Sequence, residues 1–320
     1  MARVLLIRFT WMGDVALVSS AGHALSSMGH RVHLLTRKGF GQLFDLDPHI
    51  HALEVDPRMT FAELLRMIRG NYDAVVDLQA KALSVALAKL SGARSKVIYR
   101  KRLWERRAGV WFKKPVRFVP VHQLYCDAGF RAVGEKSPCP EPKLFPPTPE
   151  FSLPTNFVAL APGAKHPNRQ WPWFNKLARL LQGTGLKQVW LGLKSEGPDR
   201  VPGLDLRGKT TISQLLAVVS RARVLVSGDT GPMHLARATG VPVVALFGPT
   251  LPEFGFGPLP GQGIVLQRQM DCRPCSLHGE KPCPGKLECL SGISPGQVLS
   301  AVLELADQDR AKFPANEPRV

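Results

Sequence analysis

The run Val224-Leu225-Val226-Ser227-Gly228-Asp229-Thr230-Gly231-Pro232-Met233-His234-Leu235-Ala236 restricts the fold of this chain more than any other part of it. A short apolar, β-branched run turns on two glycines and passes into apolar spacing of helical period, so it reads as strand, loop and helix N-terminus. The first turn of a helix leaves backbone N–H groups without intrahelical partners, and glycine lets phosphate or sugar oxygens come close to them. Asp229 and Thr230 have a plainer use as helix caps. A second strand, Val241 to Phe247, follows after one short helix and ends in Gly248-Pro249-Thr250. Two loops therefore meet at the carboxyl edge of one sheet, where open α/β folds hold their ligands.

The N-terminal half has the same grammar. Arg3 to Phe9 is a buried-strand run delivered into a turn at Gly13, and Val15 to Leu25 continues as a helix. Further strands are expected at Arg31–Thr36, His51–Asp56, Tyr72–Leu78 and Val97–Tyr99, with a helix from about Phe61 to Arg69. Alternating strands and helices build a parallel sheet covered on both faces. The three-glycine dinucleotide fingerprint is missing from the first turn, which argues against a nicotinamide or flavin site there. Asp14 stands in that turn, either capping the helix or facing a cleft as a general base.

At 320 residues two domains are expected, and the proline-dominated stretch from Cys139 to Pro154 reads as the connector, which gives domains 1–150 and 151–320. The second half opens with a strand, Phe157–Ala161, and a glycine-headed loop carrying Lys165 and Arg169 before a helix near Phe174–Leu181. Those two cations suit a diphosphate. A strand at Gln188–Leu193 leads to Glu196, and Leu204–Gly208 with a helix from Ile212 to Ala222 completes the run-up to the 224–236 stretch.

Forty-two Lys and Arg against 25 Asp and Glu give a formal charge of +17, an excess that calls for a polyanionic partner. The cations concentrate between Arg94 and Arg117, where Arg100, Lys101, Arg102, Lys114 and Arg117 belong to a run with Glu105 as its one acid and with Trp104 and Trp111 interleaved. Such a segment suits an anionic membrane surface, and it also suits a single-stranded nucleic acid. No apolar run is long enough to span a bilayer and the first residues do not form a signal peptide, so a cytoplasmic protein is expected. Cys272, Cys275, Cys283 and Cys289 put four thiols in one short segment. Their first spacing is that of a zinc knuckle, the second pair is too widely spaced for one, and disulfides are disfavoured in a reducing compartment.

The Gly13-Asp14 pair, the Asp-Thr-Gly-Pro-Met-His-Leu-Ala of 229–236 and the Phe-Gly-Pro-Thr of 247–250 resemble glycosyltransferase family 9, the lipopolysaccharide heptosyltransferases. The resemblance covers nearly the whole chain. It implies GT-B architecture, two Rossmann-like doubly wound domains facing across a cleft, with the acceptor on residues 1–150 and the nucleotide sugar on 151–320. It implies transfer of heptose from ADP-heptose to a lipid A–inner core acceptor, with Asp14 as base and no metal cofactor in catalysis. Donor contacts are then expected from Lys165, Arg169, Glu196, Asp229, Thr230, Gly231 and His234. Arg169 stands where many members have lysine. The basic aromatic segment, Arg100, Lys101, Arg102, Trp104 and Trp111, would face the acceptor and the membrane. A monomer peripherally bound at the inner membrane, without nucleic acid, follows. Two rivals share parts of the pattern: a sugar-nucleotide epimerase of the same architecture, and a non-catalytic nucleic-acid-binding protein with a structural zinc.

Overall fold

The computed structural model describes residues 1–113 and 119–312. Lys114 and Arg117 of the basic run lie outside the described residues. In the first sheet β1 (Arg3–Ile7), β2 (Arg31–Arg37), β3 (Ile50–Val55), β4 (Ala74–Asp77) and β5 (Ser95–Ile98) take the order β3-β2-β1-β4-β5. Every neighbouring pair is parallel. Five helices belong to this part of the sequence: α1 (Met12–Ser27), α2 (Phe61–Ile68), α3 (Ala82–Leu90), α4 (Leu103–Phe112) and α5 (Val121–Val133). The second sheet contains β6 (Phe157–Ala161), β7 (Lys187–Trp190), β8 (Leu204–Asp205), β9 (Val224–Gly228), β10 (Val243–Phe247) and β11 (Gly263–Gln267). Its order is β11-β10-β9-β6-β7-β8, again all parallel. Around it lie α6 (Phe174–Leu181), α7 (Ile212–Ser220), α8 (Gly231–Ala238), α9 (Glu288–Ser291) and α10 (Pro295–Lys312).

Counted from its own first strand, each sheet runs 3-2-1-4-5, and the second adds a sixth strand. The order reverses between β1 and β4 and between β6 and β9, so each sheet has one switch point where diverging loops leave a crevice at the carboxyl ends. Central strands β4, β6, β9 and β10 are buried along their whole length, which is why their sequences are mainly apolar instead of alternating, with Asp77 and Ser227 as buried polar residues near the ends of β4 and β9. Reciprocal capping boxes start α2 and α7: Thr60 with Glu63, and Thr211 with Gln214.

The chain divides into two compact units, Met1–Arg102 with Val119–Pro147, and Leu103–Phe118 with Thr148–Val320. The sequence reading kept the basic segment in one piece in the first half, and here the structure differs. Val110 of α4 packs with Phe254, Leu251, Phe256 and Leu277, and the guanidinium of Arg106 lies 5.4 Å from the Phe256 ring centre. Apolar burial on that side outweighs continuity with the preceding strand. A disulfide joins Cys126 of α5 to Cys139, contrary to the expectation that disulfides are disfavoured, because the turn after α5 brings the two Cα atoms to 5.9 Å. No helix among the described residues is long and apolar enough to cross a membrane.

One titration follows from the packing of β2. His33 accepts or donates a 2.9 Å hydrogen bond at Nδ1 with the Tyr72 hydroxyl, and its ring centre lies 5.3 Å from that of His51. Partial burial first, then the charges of His51, Arg3 and Arg31, hold its pKa below the ordinary 6.5. The folded protein therefore binds this proton less readily than the unfolded chain, and the contribution is complete above 6.5 and lost as pH falls below it. Urea midpoints measured at pH 7.5 and 5.5 should show a smaller acid-side drop in His33→Gln than in the parent.

Candidate functional site

In the first unit the switch point between β1 and β4 gathers polar side chains from three elements. β1 delivers Arg8 directly after its last apolar residue, and the backbone turns at Trp11, whose φ is 71°, before α1 begins at Met12. Asp14 is thus inside the first helical turn, and Trp11 occupies the N-cap without making a side-chain capping bond to the helix. The capping role considered for Asp14 is excluded, because α1 starts three residues earlier than its apolar pattern suggested. The carboxylate is instead held from both sides. Arg8 Nη2 lies 2.6 Å from Asp14 Oδ2, and the Tyr125 hydroxyl of α5 donates to Asp14 Oδ1 at 3.3 Å. Arg8 is itself buried and donates through Nη1 to the Leu78 carbonyl at 2.8 Å, while its Nε has no partner among the described residues. Burial raises the Tyr125 phenol well above its ordinary value, more than Arg8 lowers it, so the hydroxyl remains a donor.

The loop after β4 locks this arrangement. Gln79 Oε1 accepts from the Phe9 and Thr10 amides at 3.1 and 3.2 Å, tying the β1 loop across the switch point. Asp77, fully buried, accepts from the Gln79 and Ala80 amides and from Ser84 Oγ. Desolvation pushes its pKa up, against those hydrogen bonds and Lys101. Lys101 Nζ donates to the Ala80 carbonyl at 3.2 Å, and burial, followed by Arg8 and Lys81, lowers its pKa. Lys101 belongs beside Asp14, whereas Arg100 and Arg102 are exposed. Arg8, Asp77, Gln79 and Tyr125 were not picked out from sequence. The available signal was a charged or amide residue at the carboxyl end of an apolar strand, as in Ile7-Arg8 and Val76-Asp77-Leu78-Gln79.

In the second unit the loops after β6 and β9 meet in the same way. Arg169 stands two residues before Trp171, which is buried and whose indole N–H donates to the Ile293 carbonyl at 3.0 Å. Trp173 donates to the Ser291 carbonyl at 2.7 Å, so the basic loop is pinned by two tryptophans. Arg169 Nη2 reaches Asp229 Oδ2 at 2.8 Å, and Asp229 also accepts from Thr250 Oγ1 at 3.3 Å. The expected meeting of the β9 and β10 loops is therefore made by Asp229 and Thr250. Thr230 is the N-cap of α8 but forms no cap bond, since its hydroxyl pairs with Ser227 Oγ at 2.8 Å. Gly231 opens the helix. Glu196 lies over the ends of β6 and β7 and accepts from the Leu193 amide at 2.7 Å. A Cβ on Gly163 or Gly192 would fall 1.9 or 2.3 Å from Glu196 Oε2, so the carboxylate sits directly against both glycines, and Gly192 in addition has a φ of 122° that favours glycine.

Lys165 is exposed on the loop before Arg169. His234 is buried on α8 with its ring edge-on to Phe256, 6.1 Å between centres, so it packs into the unit's interior. Trp104 and Trp111 are exposed on α4. The four thiols do not form the zinc knuckle: among the described residues no three or more His, Cys, Asp or Glu are grouped to hold a metal ion. Cys272 is exposed, whereas Cys289 is in the hydrophobic core, where burial pushes its thiol up to about 11.

The model of glycosyltransferase family 9 (heptosyltransferase) matches residues 61–283. Lipooligosaccharide heptosyltransferase 2 of Haemophilus ducreyi is 29% identical over 167 residues, 46% of this chain and 47% of that protein. The chain thus spans about half the length of that relative. A family 9 glycosyl transferase from Veillonella parvula superposes with a TM-score of 0.75 at 20% identity, covering 96% of this chain and 98% of that one. The ADP-heptose lps heptosyltransferase II of E. coli does so with 0.74 at 21% identity, covering 96% and 99%. These likenesses carry the fold, which is GT-B with two Rossmann-like halves. With the family model matching well over half of its length, the chain belongs to glycosyltransferase family 9.

Proposed function

We propose that the protein transfers a heptose from ADP-heptose to a hydroxyl of the lipopolysaccharide inner core, acting as a monomer at the cytoplasmic face of the inner membrane. The observation that supports this most is Asp14, a carboxylate held at both oxygens at the carboxyl end of β1. Each carboxylate oxygen has two lone-pair sites. Oδ1, which among the described residues is engaged by the Tyr125 hydroxyl alone at 3.3 Å, keeps one with which to take the acceptor proton. As that proton leaves, the acceptor oxygen attacks the anomeric carbon, the bond from that carbon to the diphosphate oxygen breaks, and its electron pair departs with ADP. Arg169, the N-terminus of α8 and Lys165 would meet the growing charge on the diphosphate, with Asp229 orienting Arg169 and a sugar hydroxyl, and Glu196 reaching the ribose.

The direct test is incubation with ADP-heptose and a panel of truncated inner-core acceptors, reading released ADP and extended acceptor by mass spectrometry. One-to-one formation of ADP and a heptosylated core is expected. ADP released without acceptor extension, or inversion of a sugar nucleotide centre without any acceptor, would overturn the reading.

A further inference from the structure

Helix α4 has two faces of opposite fate. Arg106, Gly109 and Val110 are buried, against the Phe254 and Phe256 side of the second unit. Trp104, Trp111 and Phe112 are left 73%, 66% and 69% exposed. Seven residues are two helical turns less about 20°, so Trp104 and Trp111 stand one above the other, with Phe112 adjoining. Three large rings on one side of a ten-residue helix form an exposed patch of a kind that marks an interaction surface. The guanidinium of Arg107 lies over the Trp104 ring at 5.5 Å and exposed Arg102 stands at the start of the helix, whereas the Lys113 amine at its end donates to the Cys272 and Pro274 carbonyls at 3.0 and 2.6 Å.

We infer that this aromatic face seats the protein on an anionic phospholipid bilayer, with the rings at the boundary between headgroups and acyl chains and the cations on the phosphates. The inference rests on the reading above only in that a lipid-borne acceptor requires approach to a bilayer. Charge complementarity selects the occupant. A chain of net charge +17 is drawn to an anionic surface and repelled by a second copy of itself. Tryptophan, with an apolar body and one N–H, favours the interfacial layer over either solvent. Lys101, whose amine is turned to the Ala80 carbonyl, takes no part.

The test is flotation with phosphatidylglycerol-containing vesicles and with pure phosphatidylcholine vesicles. The parent should float with the first and much less with the second. Trp104→Ser/Trp111→Ser should lose about tenfold or more in vesicle affinity with unchanged ADP affinity and melting temperature. In the unaltered protein, brominated lipids should quench part of the tryptophan emission, a readout independent of any variant's folding. No flotation of the parent, no quenching, or undiminished binding by the double variant would overturn the inference. So would a parent dimer that the two substitutions dissociate, or binding of oligo-dT in place of vesicles. Vesicle binding without heptosyl transfer would overturn the proposed activity and leave the docking face standing.

Discussion

Asp14→Asn is expected to lower heptosyl transfer about a hundredfold or more, the usual worth of a positioned general base. Asparagine retains the shape of the side chain and an oxygen for Arg8 or Tyr125, so the local hydrogen bonds largely persist. It removes the negative charge facing a buried guanidinium, which lies at 6% side-chain exposure against 17% for the aspartate. Some loss of stability is therefore expected along with the loss of turnover. The two effects separate by measurement. Turnover read well below the melting transition, with ADP affinity determined by calorimetry on the same sample, should show a lost chemical step over an intact donor site. Near-parental turnover, or a variant that no longer binds ADP, would make Asp14 a structural residue.

Arg169→Ala should weaken ADP binding by about ten- to a hundredfold, since a hydrogen bond to a charged group is worth about 1.5–3 kcal/mol. The parent's affinity should also fall more steeply with salt than the variant's, because the variant has lost one screened charge contact. Arg169→Lys keeps the charge but gives up the planar fork that Asp229 orients, and an intermediate affinity is expected. Unchanged calorimetry for Arg169→Ala would move the phosphate contact to Lys165. The loop itself should survive the substitution, as the Trp171 and Trp173 indoles anchor it in addition to the guanidinium's contacts with Asp229 and the His278 carbonyl.

The alternation of elements was readable because it is written in local patterns. Phe157–Ala161 and Phe174–Leu181 form over the residues that their apolar spacing marks out, and Thr60 and Thr211 cap by a three-residue spacing. The start of α1 was misplaced because its first turn, Met12-Gly13-Asp14, has no apolar period and follows a residue with positive φ that no propensity anticipates. Asp14 and Asp229 could be singled out because parallel strands end in loops at one sheet edge, so a polar residue in the turn past an apolar run has a foreseeable location, whereas Arg169 and Glu196 were marked out by the resemblance to the family.

What those residues touch was not readable. Tyr125 reaches Asp14 from 111 positions away, Arg169 meets Asp229 from a different βα step, and Arg8 is buried beneath both β1 and β4 loops. The same holds for α4, whose charges and tryptophans read as one basic surface until packing turned Val110 inward and left three rings outside. Cys126 and Cys139 were brought to bonding distance by a turn, while the more conspicuous four-cysteine spacing met a core that took Cys289 as an apolar residue. Sequence by itself determined the strands, the helices and the sheet edge at which chemistry gathers, because backbone propensity and hydrophobic period act over a few neighbouring residues. Tertiary structure alone decided which side chains pair, which cations are buried and which faces stay bare, because those outcomes depend on desolvation and close packing between segments far apart in the chain.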